Sequence, residues 1–253
     1  MTFYLPTNFS FDGNDRMYAS QARPKAGKGA DARIGRAAPE RERGSKDDRF
    51  KRLLGAAQWE RLPAPIRKRF SKRFSSDASL AYQGQVTEMR MNFAGKLLAF
   101  ALRVIGAPLP FDRTSVGRSA IVTVTEDAAT GGQFWIRQYG RSSGFPQMVS
   151  SSKRFDGPTG LEEYIGYGIG VALKLEASDK ALNFLSDSYF IKLGRWRVPL
   201  PRLVWPGQLA IGHEELGGGQ FLFSLELKHR LLGSVIRQDA VFNDAEIVGG
   251  AKA

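Results

Sequence analysis

The sequence predicts an α+β domain: a strongly curved antiparallel β-sheet, drawn as a partial barrel, packed with two helical segments near its N-terminal side. Three observations carry that expectation. From Gly117 onward, eight or nine short runs rich in β-branched and aromatic residues follow one another. The links between them, such as E-L-G-G-G-Q at 215–220 and L-L-G-S at 231–234, are too short for helical crossovers, so neighbouring strands run antiparallel. That many twisted strands curl rather than lie flat, and the helix before them, apolar on most sides, needs a concave surface to bury it.

The chain ahead of this domain reads differently. Residues 12–48 are built from Ala, Gly, Arg, Lys, Pro and acids, with Met17, Tyr18 and Ile34 isolated among them. So little apolar surface cannot offset chain entropy, and residues 1–48 are expected to form a disordered basic arm, either an electrostatic device or a variable tail. At Phe50 helical spacing begins: Phe50, Leu53, Leu54, Trp59 and Leu62, interrupted by Pro63 and Pro65. Ile66, Phe70 and Phe74 then repeat every four residues, with Arg67, Lys68, Lys72 and Arg73 mostly off that stripe. The net charge of +12 is concentrated here, residues 49–90 supplying +7 against +2 before them and +3 after. Such a basic amphipathic helix rests on an anionic membrane or, more commonly, packs its apolar side on the protein's own core.

A strand over 78–90 leads into the apolar helix N-F-A-G-K-L-L-A-F-A-L-R-V-I-G, with Asn92 as N-cap and Gly106 as the stop. Strands follow at 119–126, 133–139, 147–155, 161–167, 168–177, 181–193, 208–216, 220–231 and 234–242. Alternation is clearest in F-L-F-S-L-E-L, which sets Phe221, Phe223, Leu225 and Leu227 on one face. The single domain thus runs over 49–245, and residues 246–253 read as a flexible tail.

Several classes fall away on composition. No stretch approaches the roughly 18 to 20 apolar residues that span a bilayer, and the first residues lack the basic-then-apolar order of a secretory leader. Cysteine is absent, which removes disulfides, thiol catalysis and thiolate metal sites and is compatible with a reducing cytoplasm. The expected location is cytoplasmic, or peripheral to a membrane. The charge alone would permit nucleic-acid binding, but no recognition motif accompanies it.

Four motifs invite chemistry. G-R-S-S-G at 140–144 matches a nucleophile elbow, yet F-P-Q-M-V follows where a helix is required, so Ser142 belongs to a hairpin. G-Y-G-I-G at 166–170 has the wrong spacing for a dinucleotide loop and no βαβ surroundings, and reads as a strand that lets a helix approach closely or bends the sheet. His213-Glu214-Glu215 is a lone His/carboxylate cluster without a second histidine nearby, so no metal site and no cofactor are expected. In W-I-R-Q-Y-G-R, Trp135, Arg137, Tyr139 and Arg141 share one strand face. If that face is interior, Arg137 needs a carboxylate, with Glu163, Glu215 or Glu226 as candidates, or a ligand's anion. Finally, R-W-R-V-P-L-P-R at 195–202 reads as a turn between strands. Pro199 and Pro201 mark its exit from the sheet, and Arg195 and Arg197 share a face that could rim the mouth.

The order of these landmarks resembles a bacterial family, domain of unknown function 4166, over roughly residues 49–245. The matching pieces are F-K-R-L-L-G and L-P-A-P-I-R (within 50–67), G-A-P-L-P (106–110), V-T-V-T-E and W-I-R-Q-Y. Phe145 with Ser150, Glu163 with Gly166, L-G-R-W-R-V-P-L-P-R, Glu215, F-L-F-S-L-E-L and L-L-G-S-V-I-R complete it. The chain departs from the pattern at R-K-R-F, where the family tends to have a histidine, and at Arg230, where it tends to have proline. The resemblance carries no activity. Related domains joined to NAD(P)-binding or membrane-associated modules imply a binding or accessory role.

Three functions are therefore expected in order of preference. The first is a non-catalytic module holding an apolar or amphipathic small molecule in the concave side of the sheet, with Trp135, Arg137, Tyr139, Arg195, Arg197, Glu163 and Glu215 as candidate ligand-binding residues. It would fail if the concave side were packed solid. The second is an interaction protein docking on anionic membrane or a partner through Arg67, Lys68, Lys72 and Arg73. The third is an enzyme using Glu163 or Glu215 as a base. Oligomeric state is left open.

Overall fold

The computed structural model describes residues 47–73, 78–106, 109–244 and 246–248. Three short helices come first, α1 (Arg49–Leu54), α2 (Ala56–Arg61) and α3 (Ala64–Phe70). Strand β1 (Ser79–Met91) leads into helix α4 (Phe93–Leu102), and the remaining chain is almost wholly β. Its strands are β2 (Ser119–Asp127), β3 (Gly132–Tyr139), β4 (Gln147–Arg154), β5 (Glu162–Gly166), β6 (Ile169–Ala177) and β7 (Ala181–Leu193). After them come β8 (Trp196–Pro199), β9 (Gln208–Gly217), β10 (Gln220–His229), β11 (Gly233–Asn243) and β12 (Glu246–Val248).

The sheet is a closed barrel of ten antiparallel strands, which corrects the expected partial barrel. Strands β1 to β7 pair in sequence, β7 pairs with β9, and β11 returns to pair with β1, so no barrel strand keeps a free edge. Closure depends on the length of β1. Its first half pairs with β2 (Ser79↔Thr125 to Gln85↔Ser119) and its second half with β11 (Gly84↔Phe242 to Met91↔Ile236), with a bulge between Val86 and Glu88. Gly84 sits where the two pairings overlap, and a Cβ there would run into the Val241 carbonyl and the Phe242 ring.

Two strands were not expected. The first half of R-W-R-V-P-L-P-R is β8, which folds back on β7 from Leu193↔Trp196 to Phe190↔Pro199, where a turn alone was read. Residues 246–248, placed in the tail, pair with β1 at Ser79–Ala81. The folded part also reaches back to Asp47, which is buried and bonds Arg49; residues 1–46 and Phe74 lie outside the described residues.

One end of the barrel is stoppered by α1–α3. The break expected at the prolines falls at Leu62 and Pro63, both extended, and Gly55 splits the first helix from the second. Phe50, Leu54, Trp59, Leu62, Ile66 and Phe70 all turn into the barrel. Phe50 meets Phe70 edge-on at 5.2 Å, and Phe70 meets His213 of β9 at 5.1 Å. Ion pairs bolt the stopper to the rim. Arg49 binds Asp47 and Glu126, while buried Arg69 lies 2.7 Å from Asp244, 3.4 Å from Glu215 and over the Phe221 ring.

Helix α4 is at the other end. The Asn92 cap is as expected, its side chain accepting from the Gly95 amide, and Gly106 follows a 3-10 turn over Arg103–Ile105. Its burial is not as expected. Gly95 and Ala99 face the barrel, whereas Phe93, Leu97, Phe100 and Val104 point into solvent. The interior has no room for the helix, because inward side chains of ten strands already fill it.

Candidate functional site

Alternation directs β3 residues Gln133, Trp135, Arg137 and Tyr139 inward, β4 residues Val149, Ser151 and Lys153 inward, and β5 residue Glu163 inward. Registers Arg137↔Val149 and Lys153↔Glu163 then bring three charges together inside the barrel. Glu163 lies 3.1 Å from the Lys153 ammonium and 3.3 Å from the Arg137 guanidinium, and accepts a 2.6 Å bond from the Ser151 hydroxyl. Arg137 also donates to Ser151 at 3.2 Å. Burial alone would push the Glu163 carboxyl up, but Lys153, Arg137 and Ser151 together hold it down to about 2. Burial, with Arg137 beside it, pulls the Lys153 ammonium down despite Glu163.

Two cations thus share one carboxylate. Lys153 also lies against aromatic faces, 4.6 Å from the Trp135 ring centre and 5.3 Å from that of Phe184. His213 sits deeper, among the rings of Phe70, Trp135, Phe184, Phe221 and Phe223, and burial followed by the charges of Arg69, Lys153 and Arg137 holds it neutral, well below its usual range. Tyr139 is likewise pushed up to about 12 by burial. Among the described residues no cluster of His and carboxylates could hold a metal.

Between this cluster and α4 the barrel keeps a cavity of about 70 Å³. Arg137, Ser151 and Glu163 form its polar floor; Val171, Ile211, Leu225 and Leu227 its walls; Leu102, Leu109, Pro206 and Leu209 its mouth. Three residues that line it each carry a buried polar atom without a hydrogen-bond partner among the described residues: Arg137 Nε, Glu163 Oε2, which lies 3.1 Å from the Lys153 ammonium, and the hydroxyl of Tyr189, which lies toward Ser186 without reaching bonding geometry. The concave side is therefore neither hollow nor solid. A drug-sized molecule needs roughly 300–1,000 Å³, whereas this space, about that of two liquid-water molecules, fits a head group.

A larger hollow of about 760 Å³ lies on the outer wall, lined by Phe134, Ile136, Tyr164, Tyr167 and Lys192 among others. It is wide open, and the Tyr164 hydroxyl on its lining is already taken, donating to Glu162 at 2.8 Å. Ser152 Oγ and Arg154 Nε, on two of its lining residues, are buried without partners among the described residues as well, so what sets the interior cavity apart is its enclosure and the two cations of its charge cluster.

The predicted residues therefore divide. Trp135, Arg137, Tyr139 and Glu163 meet inside the barrel. Arg197 belongs to the outer wall, stacked 3.9 Å over Phe190 beneath β8, and Arg195 is exposed in the β7–β8 turn against Trp196. Glu215 stands at the stoppered rim with Arg69. Of the basic set on α3 and just after it, Arg67 engages Glu60, Arg73 lies 3.5 Å from Glu126, Lys72 is half-buried and Lys68 is free in solvent. Burial and then the neighbouring Lys68 lower the Lys72 ammonium. Ile66 and Phe70 are spent on the core, so this helix has no apolar face to offer a membrane. Ser142 lies in the bend between β3 and β4, the hairpin setting read for it, whereas Gly170 on β6 is approached by the ring of its cross-strand partner Phe190 on β7 and not by a helix.

Lys153, Ser151 and Tyr189 were missed. All three lie in expected strands, but S-S-S-K-R reads as a polar outer face until the register with β5 is known. No helix among the described residues is long and apolar enough to cross a membrane. The chain belongs to the family described as domain of unknown function DUF4166, whose profile matches residues 62–242. No curated protein and no solved structure matches it.

Proposed function

We propose that this DUF4166 member is a non-catalytic binding module, resident in the cytoplasm, whose barrel takes the anionic head of an amphipathic small molecule. The observation that carries the reading is one cavity lined by two residues with a buried, unpartnered donor, Arg137 Nε and the Tyr189 hydroxyl, above a charge cluster with two cations for one carboxylate, whose unbonded Oε2 lies against Lys153. An incoming carboxylate or phosphate accepts from both and keeps Lys153 protonated. Apolar residues at the mouth, Leu102, Leu109 and Leu209, then line the path of the ligand's tail outward. A general-base role for Glu163 fits less well, because a carboxyl held near 2 takes up a proton poorly at neutral pH.

Calorimetric titration with dodecanoate, dodecanol and dodecyltrimethylammonium tests the reading. Dodecanoate should bind at least about tenfold more tightly than the other two, the scale of one charge-assisted hydrogen bond. Tyr189→Phe should remove about that factor while leaving the unfolding temperature close to wild type. Equal binding of dodecanoate and dodecanol, or a Tyr189→Phe variant that binds dodecanoate unchanged, would overturn it.

A further inference from the structure

We infer that the α4 end of the barrel is a docking face for anionic membrane. Helix α4 presents Phe93, Leu97, Phe100 and Val104 at spacings of four, three and four, one face of a helix, with Phe93 82 % and Phe100 67 % exposed. Asn92 ties this helix to the β10–β11 turn through bonds to the Leu232 and Ser234 carbonyls, and that turn exposes Leu231 and Leu232. The β8–β9 loop stands next to it, since Gly207 packs on the Lys228 backbone, and exposes Leu203 and Val204. Three separate segments thus set large aliphatic or aromatic side chains into water at one end of the molecule, a concentration that marks an interaction site.

Charge names the partner. Segments 93–106, 109–118, 140–146, 193–207 and 228–233 belong to this end and carry ten Lys or Arg, of which Arg197 turns to the outer wall and bonds Glu162, and one acid, Asp112. That acid is already engaged by Arg141. Lys96 and Arg103 flank the apolar stripe of α4, while Arg202, Lys228 and Arg230 flank the two loops; all five are exposed. Apolar side chains that enter the acyl boundary, ringed by cations that meet lipid phosphates, are the pattern of an interfacial surface. A phosphate backbone would satisfy the cations but leave the exposed Phe and Leu side chains unpartnered, so nucleic acid fits less well. The surface stands independently of the cavity reading, although the cavity opens at the same end.

Sedimentation with vesicles tests it. The full chain should pellet with vesicles of phosphatidylcholine containing one-third phosphatidylglycerol, and far less with phosphatidylcholine alone. Phe100→Ser combined with Leu231→Ser should weaken this binding by about tenfold or more. Lys96→Gln combined with Arg230→Gln should weaken it by about tenfold and flatten its salt dependence. Arg67→Gln with Lys68→Gln at the opposite end, and Tyr189→Phe in the cavity, should leave it unchanged. Binding that survives the α4-end variants, that is lost with the Arg67/Lys68 pair, or that never appears on anionic vesicles would overturn the assignment. So would concentration-dependent self-association without lipid that Phe100→Ser abolishes, which would seat a second copy on this face.

Discussion

At the end of the barrel closed by α1–α3, apolar side chains turn inward and buried or half-buried arginines are matched by acids: Arg49 with Asp47 and Glu126, Arg69 with Asp244 and Glu215. At the α4 end both habits reverse. Phe and Leu side chains stand in water, and, with Arg197 set aside on the outer wall, nine cations face one acid. Two helical regions, the first amphipathic and the second apolar on most sides, therefore meet different fates. The first found space in the barrel mouth and became core; the second found that space filled and lies outside it. The difference teaches that one end carries stability, while the other leaves a concentration of apolar surface in water, the kind of patch on which the proposed interaction rests.

The comparison can be broken by matched substitutions. Phe70→Ala at the stoppered end removes a side chain only 4 % exposed and should cost about 3–5 kcal/mol in urea unfolding. Glu163→Gln, between the ends, leaves Arg137 and Lys153 without their carboxylate and should cost about 3 kcal/mol at pH 7. Its pH signature has a definite sign. Folding lowers this carboxyl from 4.5 to about 2, so its stabilisation is complete above about pH 4.5 and is lost as pH falls toward 2. Wild type and variant stabilities should therefore converge on acidification across that window, and a gap that stays constant would contradict the charge cluster. Asn92→Ala loses the α4 cap and its two bonds to the β10–β11 turn and should cost about 1–2 kcal/mol. Phe100→Ala should change stability by about 0.5 kcal/mol or less. A loss there as large as that of Phe70→Ala would show that α4 is core after all.

Much of this architecture was legible because alternation is a local property. The bounds of β7 and the inward set Phe221, Phe223, Leu225 and Leu227 could be read directly, as could the helix break at Pro63 and the Asn92 cap. Closure could not be read, since nothing local in residues 84–91 announces pairing with residues 236–242 at the far end of the chain. The exposure of α4 was hidden for a related reason: apolar composition says what a helix is able to bury, not whether the neighbouring strands leave room. Arg137 was conspicuous between Trp135 and Tyr139, and Glu163 stood among its candidate partners. Lys153 was not conspicuous, because the inward face of β4 is mostly polar and only the register with β5 reveals it as interior.

The measurement that bears most directly on the central claim is the position of a bound amphiphile. Crystals grown with ω-bromododecanoate should show its carboxylate within hydrogen-bonding distance of Arg137 Nε and the Tyr189 hydroxyl. The anomalous bromine peak should lie beyond Leu102 and Leu109 at the α4 end. A bromine peak in the outer-wall hollow beside Ile136 and Tyr164, with water alone on Arg137, would contradict the account.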